Sequence, residues 1–212
     1  ACVTVATLPW SIDLTYTDLG EVPVGWESEA WTVSNKANGY GDDDRQFNVR
    51  IKPNAADGYV GDLTTPRILV NEDNAFFSFE YCMYIWARFG GNKKYDVWEA
   101  EDTLAVQVSS EGGEFEDVLV YTAENNVKVD SVNQFTNVSV DLSKYLDKEI
   151  RVRIHWKCHS SQQVRMPIED ITLVNVPKPV IPEVTVNNIT HNSALLKWRG
   201  EQEDYEVAYA KS

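Results

Sequence analysis

Apolar and polar residues alternate with a period of two along much of the central chain, which predicts strands with one face against a core. Over residues 75–86 the period puts Phe77, Phe79, Tyr81, Met83 and Ile85 on one face, and Ser78, Glu80, Cys82, Tyr84 and Trp86 on the other. Leu104, Val106 and Val108 oppose Thr103, Gln107 and Ser109, while Val152, Ile154, Trp156 and Cys158 oppose Arg151, Arg153, His155 and Lys157. Strands with one dry and one wet face belong to antiparallel sheets, so the pattern predicts an all-β two-sheet sandwich and not a parallel α/β sheet. No long helical stripe is present, and the one candidate for a helical turn lies at residues 142–146. Trp26, Trp156 and Trp198 are assigned to cores by the same patterning.

The 212 residues are enough for a full core, as one large domain or one domain plus a fragment. Val176-Pro-Lys-Pro-Val-Ile-Pro-Glu183 carries three prolines, which stiffen the backbone and suit a domain junction. The expected organisation is therefore a first domain over 1–176, a Pro-rich linker over 177–183 and a further segment over 184–212. In that last segment Ser193, Ala194, Leu196, Trp198, Tyr205, Val207 and Tyr209 fall in a Ser-Ala-x-Leu-x-Trp then Tyr-x-Val-x-Tyr order, which resembles the opening of a fibronectin type III domain. A full domain of that kind takes about 100 residues, so the expectation is a module cut short, within a chain excised from a longer multidomain protein.

A formal net charge of −14 argues against nucleic acid or anionic lipid as a partner and leaves cations and neutral ligands such as glycans open. No apolar run reaches the roughly 18 residues that span a bilayer, and the first residues carry no signal-peptide pattern. Of three cysteines at least one must be free or bonded elsewhere. The alternation sends Cys158 into the core and Cys82 away from it, so these two are expected not to bridge, with Cys158 a small buried hydrophobe.

From Leu8-Pro9-Trp10 through Val22-Pro-Val-Gly-Trp26, Trp31, Leu63-Thr-Thr-Pro66 and Phe77-Ser-Phe-Glu-Tyr-Cys-Met83, the chain resembles the cleaved-adhesin, or choice-of-anchor J, domains of Bacteroidetes surface proteins, which include the haemagglutinin-adhesin domains of gingipains. Asp102-Thr-Leu-Ala-Val-Gln-Val-Ser-Ser109, Val138-Ser-Val-Asp-Leu142, Arg151-Val-Arg-Ile154 and Ile168-Glu-Asp-Ile-Thr-Leu173 continue the likeness in the same order. The resemblance implies a jelly-roll sandwich, an extracellular or cell-surface location, glycan or host-protein binding, frequent pairing with fibronectin type III modules, and a structural calcium ion. Its acidic pair ahead of the last strand corresponds to Glu169 and Asp170, expected here as metal ligands; where the family has a second contributing glutamate, this chain has Leu14-Thr15.

The richest recognition candidate is the stretch from Trp86 to Trp98, which sets aromatic and cationic side chains around Gly90-Gly91. Sugars present apolar C–H faces that stack on aromatic rings, so Glu80, Tyr84, Trp86, Phe89, Tyr95 and Trp98 are the expected ligand-binding set. The competing reading has Trp86, Phe89 and Trp98 folded back over the end of the sandwich. Asp42-Asp-Asp44 lacks the spacing of a dedicated calcium loop and reads as a solvated loop. His155, Cys158 and His159 have the look of metal spacing, but on a strand the cysteine faces away from both histidines, whose Cα atoms are about 13 Å apart. No G-x-S-x-G, H-E-x-x-H or phosphate loop occurs. The expected function is a non-catalytic extracellular binding module. A structural spacer and an accessory domain of a secreted hydrolase or protease are the alternatives.

Overall fold

The computed structural model describes residues 10–14, 16–28, 30–35, 45–50, 59–85, 94–95, 98–126, 135–159, 164–174, 183–187 and 195–199. The chain divides into two compact units, Ala1–Pro177 and Lys178–Ser212. In chain order the strands of the first unit are β1 (Trp10–Ser11), β2 (Glu27–Ser28), β3 (Thr32–Asn35), β4 (Arg45–Arg50), β5 (Tyr59–Thr64), β6 (Ile68–Leu69) and β7 (Phe76–Tyr81). They continue with β8 (Tyr84–Ile85), β9 (Lys94–Tyr95), β10 (Thr103–Ser110), β11 (Glu116–Thr122), β12 (Thr136–Asp141), β13 (Glu149–Cys158) and β14 (Val164–Val174). The second unit contributes an antiparallel pair, β15 (Glu183–Asn187) and β16 (Leu195–Arg199).

The first unit is a sandwich of two antiparallel sheets. One runs β12-β7-β14-β4-β3, with β1 and β8 also on β14 and β9 on β8; the other runs β11-β10-β13-β5-β2, with β6 also on β13. Following the long strands, β4, β7, β12 and β14 lie in the first sheet and β5, β10, β11 and β13 in the second, so the chain changes sheet at most connections. That wrapping is the topology of a jelly roll.

One-sided burial explains the period-two pattern. Phe77, Phe79, Tyr81 and Met83 from the first sheet meet Leu104, Val106, Val108, Val152, Ile154, Trp156 and Cys158 from the second in one core. Cys82 and Cys158 are both buried, and only Cys158 belongs to that core. Trp26, Trp31 and Trp156 are core residues, with the Trp31 and Trp156 rings 6.0 Å apart. Gly61 leaves room for Trp31 beside β5, since a Cβ there would meet the indole Nε1 at 3.2 Å, tighter than most such contacts. The expected helical turn is present as a 3-10 turn, Ser143–Tyr145. Trp198 lies in β16, and its side chain is outside the described residues, as are residues 200–212.

Two expectations are corrected. The strand foreseen over 75–86 is broken at Cys82 and Met83 into β7 and β8. Its polar face is also not uniformly wet: Ser78 and Cys82 are buried, because small side chains on a central strand sit low between flanking strands, here β12 and β14. The Ser78 hydroxyl bonds that of Ser139 on β12 at 3.0 Å.

Candidate functional site

Of the expected aromatic site, Tyr84 and Tyr95 lie on paired strands. β8 pairs with β9 and places Tyr84 directly opposite Tyr95, while Arg165 of β14 pairs with Tyr84 on the other side. Trp86 and Phe89 lie outside the described residues, as do Asp42, Asp43 and Asp44. Trp98 is half-buried against the core margin, edge-on to Tyr81 at 6.3 Å. Its segment is clamped by Asp102, a buried carboxylate accepting from the Glu99 amide at 2.9 Å and the His159 amide at 2.8 Å. Tyr81 extends the aromatic contact to Tyr121 of the opposite sheet at 6.1 Å; burial, reinforced by Tyr121 and Cys82, pushes its phenol well above the ordinary range. Glu80 faces the other way from Tyr81 on β7, so Glu80 and Trp98 fall on opposite sides of that strand.

Glu169 and Asp170 sit at a bulge in β14, where the register with β7 shifts between Glu169 and Thr172. Asp170 takes a left-handed φ of 51°, and the extra residue turns both acidic residues outward while Ile168 and Ile171 both stay buried. Glu169 pairs directly across from Glu80. Leu14, which stands where the resemblance puts a glutamate, is in the core. Calcium takes about six to eight oxygens. Among the described residues no group of three or more His, Cys, Asp or Glu side chains is placed to hold a metal.

A second surface, not singled out from the sequence, is built on the outward face of the other sheet. Register sets Arg153 of β13 between Thr64 of β5 and Gln107 of β10, and His155 between Asp62 and Ala105. His155 Nδ1 lies 2.6 Å from Asp62 Oδ1, and Arg153 Nη1 lies 3.5 Å from Asp62 Oδ2. Arg153 Nε donates to Gln107 Oε1 at 2.6 Å, and Gln107 Nε2 donates to Asp117 Oδ1 of β11 at 2.7 Å. The guanidinium also lies over the Phe115 ring, 4.0 Å from its centroid, a cation–π contact that holds it flat. One connected network thus crosses four strands. Its side chains stay reachable, with Arg153 24%, His155 25% and Asp62 32% exposed.

This network also settles the partners of the two histidines near Cys158. His155 goes to Asp62, while His159 Nε2 goes to Glu101 at 3.3 Å, and Cys158 is in the core. The outward face of β13 was legible as polar from its alternation. The signal for the network was not, because its partners lie on other strands, 93 residues away for Asp62 and 46 for Gln107.

No protein-family model matches the sequence, and no curated protein matches it either. Among solved structures the fold is similar to the K2 cleaved adhesin domain of Lys-gingipain, with a TM-score of 0.52 and 13% identity over 78% of this chain and 97% of that one. Lower similarity extends to TmCBM61 in complex with β-1,4-galactotriose, with a TM-score of 0.43 and 12% identity over 71% of this chain and 89% of that one. It also extends to the family 11 carbohydrate-binding module of the cellulosomal cellulase Lic26A-Cel5E of Clostridium thermocellum, with a TM-score of 0.36 and 15% identity over 82% and 99%. The likeness to the adhesin domain is one of fold.

Proposed function

We propose that this chain is a non-catalytic binding module, working outside the cell within a multidomain surface or secreted protein and taking a glycan or a protein surface as its ligand. The observation that carries the reading is the connected network of Asp62, His155, Arg153, Gln107 and Asp117 on an outward sheet face. Recognition gains from polar groups already fixed in place, since little freedom is then lost on binding, and strands of a packed sandwich hold such groups more tightly than loops do. The sequence resemblance to adhesion domains supports the same reading. So does the segment containing β15 and β16, which resembles the start of a fibronectin type III module, a frequent companion of such domains.

Cross-strand polar pairs also knit an exposed sheet, and a structural spacer would need no more than that. Binding separates the two readings. The full chain, immobilised, is presented with a glycan array and with a panel of extracellular-matrix proteins. A specific ligand lost in Arg153→Ala supports the module and its site. Loss in Trp86→Ala or Trp98→Ala, with Arg153→Ala unaffected, moves the site to the aromatic segment and keeps the function. No binding to either panel leaves the spacer.

A further inference from the structure

The geometry points to a neutral oligosaccharide as the ligand of the outward β5-β13-β10-β11 face, held by hydrogen bonds to Arg153 and His155. The inference rests on the binding-module reading and names its ligand class. Ala105 lies on the polar side of β10 and is only 4% exposed, so the larger side chains around it make up the surface of this face. The register puts His155 on one side of Ala105 and Val120 on the other. Arg153 and Gln107 form the next row along the strands.

Those polar groups have hydrogen-bonding capacity left over. Nδ1 of His155 and Nε and Nη1 of Arg153 are engaged within the network, while among the described residues Nε2 of His155 and Nη2 of Arg153 have no protein partner. With Nδ1 donating to the Asp62 carboxylate, a neutral imidazole presents Nε2 as an acceptor, and the guanidinium presents Nη2 as a donor. The two residues are i and i+2 on one strand face, so acceptor and donor stand roughly 6.6 Å apart at their Cα atoms. Hydroxyl groups, which both give and accept, satisfy this pairing.

Charge selects against an anionic sugar. Arg153 shares Asp62 with His155, and Arg151 is matched by Glu27 at 3.0 Å, which leaves the exposed Lys157 at the far end of the face. The whole chain carries a net charge of −14, which repels polyanions.

The test is calorimetric titration of the full chain with neutral oligosaccharides (mixed-linkage glucan, β-galactan, mannan and xylan fragments) and with anionic ones (oligogalacturonate and heparin fragments). The expected result is binding of a neutral fragment, weakened by at least ~tenfold in both Arg153→Lys and His155→Gln, each loss being that of a hydrogen bond to a charged or aligned group. Melting temperature stays near that of the parent, and Lys144→Ala, on the 3-10 turn, binds as the parent does. The inference is overturned by a preference for the anionic fragments, by neutral binding unchanged in both variants, or by no binding of any fragment. In the last case a matrix protein captured through Arg153 would still sustain the binding-module reading, so the two failures are distinct.

Discussion

Thr65 joins the end of β5 to β13 through its side chain as well as its backbone. Its amide donates to the Val152 carbonyl at 2.9 Å, and its hydroxyl accepts from the Val152 amide at 3.0 Å, all in a buried setting. Thr65→Val keeps the shape and strands that amide without water, so unfolding free energy in urea is expected to fall by about 1–3 kcal/mol. Asp141 does a lighter task at the surface. Its carboxylate accepts from the Ser143 hydroxyl and, at 2.7 Å, from the Ser143 amide, and these bonds hold its pKa below the ordinary aspartate value of about 3.9. A folded-state pKa below the unfolded one gives stability that is present above the unfolded value and is lost as pH falls through the folded value. Asp141→Ala is expected to cost ~0.5 kcal/mol at neutral pH, discounted because the group is exposed. That cost should vanish in urea titrations once acid protonates the parent's carboxylate. Thr65 was visible in the sequence only as part of Leu63-Thr-Thr-Pro66; its bond depends on a residue 87 positions away.

The long strands announced themselves because each buries one face, as Val152, Ile154, Trp156 and Cys158 show. Elements that escape this rule were hidden. β1, β2, β6, β8 and β9 have two residues each, too few for a period. The β14 bulge sets Glu169 and Asp170 outward in succession and so breaks the alternation. The β10–β11 hairpin turns on Glu111 and Gly112, with φ of 54° and 80°, closed by the Gly113 amide donating to Ser110 at 2.9 Å. The connection spans residues 111–115, and two left-handed residues at the centre of the β-turn that opens it favour Asn-Gly. Glu111 bears a strain that asparagine tolerates better, so Glu111→Asn is expected to raise unfolding free energy by ~0.5 kcal/mol. A variant no more stable than the parent would count against this reading of the turn. The same hairpin aligns Gln107 with Asp117 across a register shift, which is why that leg of the polar network has no signature in the sequence.

At the scale of the molecule, the jelly roll brings β5, β13, β10 and β11 side by side although they are scattered along the chain. The sandwich and its two wet surfaces were legible from alternation. Which polar residues meet on a surface was not, because strand order and register are properties of the assembled sheets. For Trp98 the sequence left two readings, a ligand contact or a ring folded back over the end of the sandwich, and the ring packs on Tyr81. The central claim is that the outward face of the second sheet is where this module meets its ligand. Its most direct test is to titrate the isotopically labelled full chain with a neutral oligosaccharide and follow backbone amide NMR shifts. The expected perturbations concentrate at Asp62, Ala105, Gln107, Arg153 and His155 and saturate together. Shifts concentrated instead around Tyr84, Tyr95 and Trp98, or no saturable shift at all, would contradict it.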